Sequence, residues 1–363
     1  MKLNDNRRSR KIRVLAVDDS AVVREVLHYV LSEDPEIEVV GTAPDPLVAR
    51  EMIKALNPDV LTLDVEMSKM NGLEFLEKLM RLRPMPVVMI SSHTFPGGEM
   101  SIRALEIGAV DVVGKNSGQG GLIALKDEII AKVKAASRAN IERATINAGL
   151  PRRPALKAAS SSHGRIVAVG ASTGGVQALN VLLGAMPRDC PPLLIVQHMP
   201  AGFTKSFARR LDRSCEMIVS EAEDGMPVLR GQAFIAPGDR HLTLAKTPAG
   251  YVCRVTSGPP INHHMPSIDV LFQSVAIVAR RRAVGVVLTG MGKDGASGLD
   301  MMRKAGAPTI CQDEASSLIY GMPKAALAIG AAEYELPLAR IAHFILELPA
   351  PERRTAAMAG QAV

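Results

Sequence analysis

The sequence predicts an α/β protein built from two doubly wound parallel-sheet domains. Three observations predict it. Short apolar runs alternate with helix-period stretches from Ile12 to about Val133, the same alternation resumes at Arg165, and a stretch rich in Pro, Ala, Ser and Arg separates the two blocks. Parallel strands need crossover helices, so repeated strand–helix units within one block imply a doubly wound sheet. With 363 residues, 47 % of them apolar, the chain also exceeds what one compact core usually fills.

In the first block the strand-like runs are IRVLAV, EVVGTA, DVLTLDV, PVVMIS and AVDVVG, followed by helical patterns at 20–32, 46–56, 72–82, 99–107 and 121–136. The second block opens with RIVAVG and a helix at 175–185, then PPLLIVQHM and a helix at 203–213. A β-rich insertion with turns at PGDR and PAGY follows, and RAVGVVLTGMGKDGASGL runs into a helix at 296–305. The expected boundaries are a basic tail at 1–11, a first domain at 12–136, a linker at 137–164, a second domain at 165–348 and a loose tail at 349–363.

No apolar run reaches the length that spans a bilayer, and the opening MKLNDNRRSRK has no apolar segment behind it, so a cytoplasmic protein without membrane insertion is expected. Cys190, Cys215, Cys253 and Cys311 are far apart and form no zinc pattern, which reads as four reduced thiols. The net charge of +6 gathers in the N-terminal tail and the linker. That charge reads first as a solubilising tail and linker; nucleic-acid binding would interleave it with stacking aromatics, yet Trp is absent and aromatics make up 3 %, so of the two partners an acidic protein surface is the better.

Chemistry-bearing residues fall at strand ends. In the first block Asp18 and Asp19 follow the first run, Asp64 closes the third, Ser91 ends the fourth and Lys115 follows the fifth. The carboxyl ends of an open parallel sheet form its ligand crevice, so these five residues converge there. Three adjacent carboxylates repel one another unless a hard cation joins them, and Mg²⁺ suits oxygen ligands. The ion and the Lys115 ammonium would neutralise a phosphoryl group arriving on a carboxylate, with a hydrogen bond from Ser91.

The block at 12–135, with VDDS, LTLDVEM, NGLEFL, VVMISS and DVVGK, resembles the response-regulator receiver domain, which has a flavodoxin-like fold. The resemblance implies that Asp64 accepts a phosphoryl group from a histidine kinase, that Asp18, Asp19 and Asp64 hold Mg²⁺, and that Ser91 and Lys115 are the switch pair. Ser68 and Asn116 stand where that family usually has proline, and Val112 where an aromatic switch side chain is common.

In the second block GASTGG lacks both the middle glycine and the later ribose-binding acid of a dinucleotide fingerprint, and it lacks the Gly-Lys-Ser/Thr ending of a P-loop. It does match G-x-S-x-G, a strand-to-helix turn that exposes a nucleophilic Ser172, although a serine there also serves as a helix cap. His198 ends the run LLIVQ, and Asp294 lies in the turn after VGVVLTG, so serine, histidine and aspartate would share one sheet edge as a triad requires. His163, His241, His263 and His264 compete for the base role from linker or loop positions. The chain order Ser, His, Asp departs from that of the α/β-hydrolases.

GASTGG, QHMPAGFTKSFARRL, APGDRHL, PSIDVLFQSVA, GVVLTGMGKDGASGL and QDEASSLIYGMPKAA resemble the catalytic domain of the chemotaxis protein-glutamate methylesterases, across most of 165–345. The resemblance implies a Rossmann-like domain with Ser172 as nucleophile, His198 as base and Asp294 as its orienter, and with the Thr173 hydroxyl and the Met291 N–H near the oxyanion. It implies hydrolysis of glutamate γ-methyl esters and deamidation of glutamines on chemoreceptor cytoplasmic helices, without a cofactor for that step. Lys293 and Met265 stand where asparagine and arginine are more usual, and Asp269, Arg240 and His264 lie in motifs near the cleft. A non-catalytic partner-binding domain, a small-ester hydrolase and a nucleotide-dependent oxidoreductase are the competing readings.

Overall fold

The structure is a computed structural model that describes residues 10–67, 70–91, 95–115, 121–141 and 164–350. Ser68, Asn116, His163, most of the basic N-terminal tail, the greater part of the linker and the last thirteen residues lie outside the described residues.

The first domain alternates β1 (Ile12–Val17), α1 (Ala21–Ser32), β2 (Ile37–Ala43), α2 (Pro46–Leu56), β3 (Val60–Asp64), α3 (Gly72–Leu82), β4 (Val87–Ser91), α4 (Phe95–Ile107) and β5 (Asp111–Gly114). Polar side chains set several helix starts. Ser20, Asp45 and Asn71 each cap the following helix by accepting from its first backbone N–H groups. Helix α4 begins four residues before its apolar pattern does. The single helix expected at 121–136 breaks at Leu125 into α5 (Gly121–Ala124) and α6 (Lys126–Ala136).

All five strands are parallel, in the order β2-β1-β3-β4-β5. The order reverses between β1 and β3, which opens the crevice at the ends carrying Asp18 and Asp64.

The second domain has β6 (Ile166–Ala171), α7 (Gly175–Gly184), β7 (Leu193–Gln197), α8 (Phe203–Asp212), β8 (Ile218–Glu221), β9 (Gln232–Ile235), β10 (His241–Thr247), β11 (Gly250–Thr256) and α9 (Ile268–Val278). It continues through β12 (Ala283–Val287), α10 (Ala296–Lys304), β13 (Thr309–Gln312), α11 (Met322–Ala328), β14 (Tyr334–Leu336) and α12 (Leu338–Glu347). The β-rich insertion proves smaller than expected. Strands β8 and β9 join the main parallel sheet, and among the described residues only the antiparallel hairpin β10–β11, turning at PAGY, stands apart.

The main sheet runs β14-β13-β12-β6-β7-β9-β8, with its switch point between β6 and β12. Residues of β6 alternate between two cores. Val167, Val169 and Ala171 face α7, α8 and α12, whereas Ile166 and Ala168 face α9, α10 and the hairpin. The α7-side core continues without interruption into the core of the first domain. Among the described residues no helix is long and apolar enough to cross a membrane.

Candidate functional site

Parallel pairing of β6 with β7 places Ala171 opposite Gln197, and the His198 N–H donates to the Ala171 carbonyl at 3.0 Å. Ser172 and His198 therefore leave neighbouring strands side by side and line one cleft. The turn after β12 delivers Asp294 to the same edge, where His198 Nε2 donates to Asp294 Oδ2 at 2.9 Å. His198 Nδ1 is buried and has no hydrogen-bond partner among the described residues. The more familiar triad orients its imidazole the other way, with Nδ1 on the carboxylate; here Nδ1 is the nitrogen left to take a proton.

Asp294 is buried, and besides His198 it accepts from four donors. Oδ1 receives Ser267 Oγ at 2.9 Å, Asn262 Nδ2 at 2.9 Å and the Asp269 N–H at 3.3 Å, while Oδ2 receives the Ile268 N–H at 2.7 Å. Three of these donors belong to the start of α9, whose positive end favours an anion. Burial alone would raise the Asp294 carboxyl, but the His198 hydrogen bond and the other donors outweigh it and hold the group well below the usual carboxylate range. A carboxylate fixed as an anion keeps the His198 proton on Nε2.

The competing histidines separate cleanly. His241 accepts the Ser267 N–H at Nδ1 and donates from Nε2 to the Pro259 carbonyl, a buried structural role that supports the start of α9. His263 is exposed. His264 lies with its ring centroid 3.7 Å from that of His198 and its plane tilted by 13°. Burial, reinforced by the adjacent His198, pushes the His264 imidazole down to about 4, so it is neutral at pH 7. Asp269 accepts from Asn262 Nδ2 and from the Gly298 N–H, while Arg240 and Lys293 are exposed.

The turn Ser172–Gly174 is tight. Gly174 has φ +80°, and a Cβ there would come within 2.7 Å of Leu318 Cβ, so glycine is required on both counts. Gly290, one residue before Met291, presses against the serine, and a Cβ there would lie 2.7 Å from Ser172 Cβ and 2.4 Å from Met322 Sδ. Gly290→Ala is expected to destabilise the fold by about 1–3 kcal/mol and to lower kcat by about 10- to 100-fold, because the serine itself must shift. Thermal melts and steady-state assays of the same variant read the two effects separately.

The Thr173 hydroxyl donates to Asp111 Oδ2 of β5, in the other domain. Gln177 Nε2 reaches the carbonyls of Leu105 and Ala109, and Arg210 pairs with Glu106. Leu105, Val110, Asp111 and Val112 form one wall of the cleft that contains Ser172 and His198. Asp111 is itself held by Lys132, whose Nζ lies 3.1 Å from Oδ1, 2.8 Å from Glu128 and 2.6 Å from the Val112 carbonyl. Sequence patterns could not show Asp111, because its importance depends on how two separately folded sheets meet. Ser267 and Asn262 were more accessible, as a serine before an apolar helix and an asparagine in a tight turn.

In the first domain Asp18, Asp19 and Asp64 bring carboxylate oxygens within 4.8 Å of one another. Lys115 Nζ lies 2.8 Å from Asp64 and 2.9 Å from Asp18. Burial pushes the Asp64 carboxyl up to about 6, with Asp18 adding to the rise and Lys115 opposing it. Asp18 Oδ2 is buried, with the Lys115 ammonium as its ion-pair partner. Ser91 ends β4 beside Asp64, and its carbonyl accepts the Lys115 N–H at 2.6 Å. Val112, one of the departures noted above, is buried against the other domain.

In class, this is a response regulator whose effector domain is an enzyme. The response regulator receiver domain matches residues 14–126, and CheB methylesterase matches 167–345. Protein-glutamate methylesterase/protein-glutamine glutaminase 1 of Caulobacter vibrioides is 54 % identical over 94 % of this chain and 99 % of its own. Protein-glutamate methylesterase/protein-glutamine glutaminase of Bordetella parapertussis is 54 % identical over 93 % of this chain and 97 % of its own. The crystal structure of the Thermotoga maritima CheB methylesterase catalytic domain overlays with a TM-score of 0.50 at 39 % identity, covering 51 % of this chain and 98 % of that one. The chain belongs to the protein-glutamate methylesterase/protein-glutamine glutaminase family.

Proposed function

We propose that the protein hydrolyses glutamate γ-methyl esters on chemoreceptor cytoplasmic domains, deamidates receptor glutamines, and is activated when a chemotaxis-type histidine kinase phosphorylates Asp64. The observation that carries this reading is the pairing of His198 with a multiply bonded Asp294 beside Ser172, in a cleft whose remaining wall belongs to the receiver. It acts in the cytoplasm, without nucleic acid and without inserting into the membrane.

His198 Nδ1 removes the Ser172 hydroxyl proton as Oγ attacks the side-chain acyl carbon. The Met291 N–H and the Thr173 hydroxyl stabilise the oxyanion, the intermediate collapses, and Nδ1 passes its proton to the departing methoxide oxygen, which leaves as methanol. Water then repeats the attack on the acyl-serine. Glutamine follows the same path and releases ammonia. This sequence is complete without a cofactor.

The receiver blocks that chemistry in two ways. Leu105 and Val110–Val112 close the cleft, and Asp111 takes the Thr173 hydroxyl that the oxyanion needs. Asp18, Asp19 and Asp64 fit Mg²⁺, since they offer hard oxygen donors at ligand spacing. When bound, the ion supplies positive charge for the incoming phosphoryl oxygens. Lys115 holds the Asp64 carboxylate, Ser91 follows the residue paired with Asp64 on the neighbouring strand, and phosphorylation there shifts the population toward an uncovered cleft.

Methanol release from methylated receptor, with and without a small phosphodonor, tests this reading. The wild type responds to phosphodonor, Asp64→Asn does not, and a chelator removes the response but spares the basal rate. Asp111→Ala removes a hydrogen bond to a charged group, worth about 1.5–3 kcal/mol, and is expected to raise the unstimulated rate by about tenfold or more. A wild type indifferent to phosphodonor would overturn the regulatory reading.

A further inference from the structure

We infer that the tight turn Ile261–His264 is a positioning device for the base, in which Asn262 fixes the Asp294 carboxylate while the His264 ring, stacked on His198, fixes the plane of the imidazole. The inference rests on His198 being the general base.

The turn is locally over-determined. Ile261 and His264 exchange backbone hydrogen bonds in both directions, at 3.0 and 2.9 Å. The two central residues, Asn262 at φ +53° and His263 at φ +66°, are both left-handed. Paired left-handed centres define a type I′ turn, a conformation that asparagine tolerates better than most residues. One short loop therefore carries two side chains to two members of the site. Asn262 Nδ2 donates to both Asp294 Oδ1 and Asp269 Oδ2, and His264 covers a face of His198.

His198 needs such a face contact. Among the described residues its one side-chain hydrogen bond is at Nε2, and Nδ1 is buried without a partner. A ring tied at one edge can still rock about that bond, because the second side-chain torsion of histidine lies in a broad well. Rocking swings Nδ1 across the direction of the serine hydroxyl. A flat ring packed 3.7 Å away removes that freedom and shuts water out from one side. The charged and titratable neighbours of His264 are His198, Asp294, His263 and, across the domain boundary, Lys132. Because its own imidazole is neutral, His264 adds no positive charge beside the imidazolium that forms on His198.

The full-length protein, stimulated with phosphodonor, is assayed for methanol release over a range of methylated receptor. His264→Ala is expected to lower kcat by about 10- to 100-fold with KM changed by less than about twofold, and His264→Phe, which keeps a flat ring but no nitrogen, to recover to within about threefold of wild type. In protein labelled with ¹⁵N-histidine, the His198 proton resides on Nε2 in wild type and His264→Phe. In His264→Ala its resonance broadens through faster exchange with water. His198→Ala serves as the reference: if it stays active, the base assignment itself fails. With His198→Ala inactive, the positioning inference alone is overturned by an unimpaired His264→Ala. It is equally overturned by a His264→Phe as poor as His264→Ala, by a loss carried in KM, or by a His198 proton on Nδ1.

Discussion

Replacing Ser172 with alanine is expected to lower methanol release by about 10⁴- to 10⁶-fold while leaving thermal stability within about 0.5 kcal/mol of wild type. The activity loss follows from the role proposed for Oγ, as the atom that forms the acyl bond. The small stability effect follows from the way the turn is held, through its backbone. The Ser172 N–H donates to the Thr289 carbonyl, and the Ser172 carbonyl accepts from Gln197 Nε2 and the Gly175 N–H. No part of that network uses the hydroxyl. Release measured at saturating substrate, alongside a thermal melt, checks both halves, and an active Ser172→Ala would reject the acyl-serine path.

The second large effect is expected at Asp294. Asp294→Asn should lower kcat by about 10⁴-fold, since an amide no longer holds the His198 proton on Nε2 nor stabilises the imidazolium. Stability should fall as well, by about 3 kcal/mol, because five donors converge on two carboxylate oxygens and an amide nitrogen cannot accept from any of them. The pH dependence has a definite sign. The folded carboxyl titrates below its unfolded value, so its contribution is complete above about pH 4 and is lost as pH falls further toward the folded value. Asp294→Asn should therefore flatten the acid limb of the stability curve, which chemical denaturation at successive pH values would show. A wild-type acid limb retained by the variant would place the responsible carboxylates elsewhere.

Much of the fold was legible because both sheets are parallel and buried on both faces. Such strands read as unbroken apolar runs, and β3, β4, β6, β7 and β12 are buried along their whole length. The helix starts were legible at Ser20, Asp45 and Asn71 because capping is a local interaction between a side chain and the next turn. The middle of the second domain was harder to read. Strands β8 and β9 have only four residues each, and nothing in so short a run says whether its partner is a hairpin neighbour or the main sheet.

The sequence by itself determined which strand ends carry Ser172, His198 and Asp294 and which carry Asp18, Asp64 and Lys115, because the chemistry of a parallel sheet collects at its carboxyl edge. Only the tertiary structure decided which nitrogen of His198 meets the carboxylate, which donors surround Asp294, and that Asp111 of one domain takes hold of Thr173 in the other. Strand ends follow from local pattern and periodicity. Ring orientation, carboxylate solvation and domain docking depend on residues tens of positions apart, and their energies arise only when those residues share a buried space.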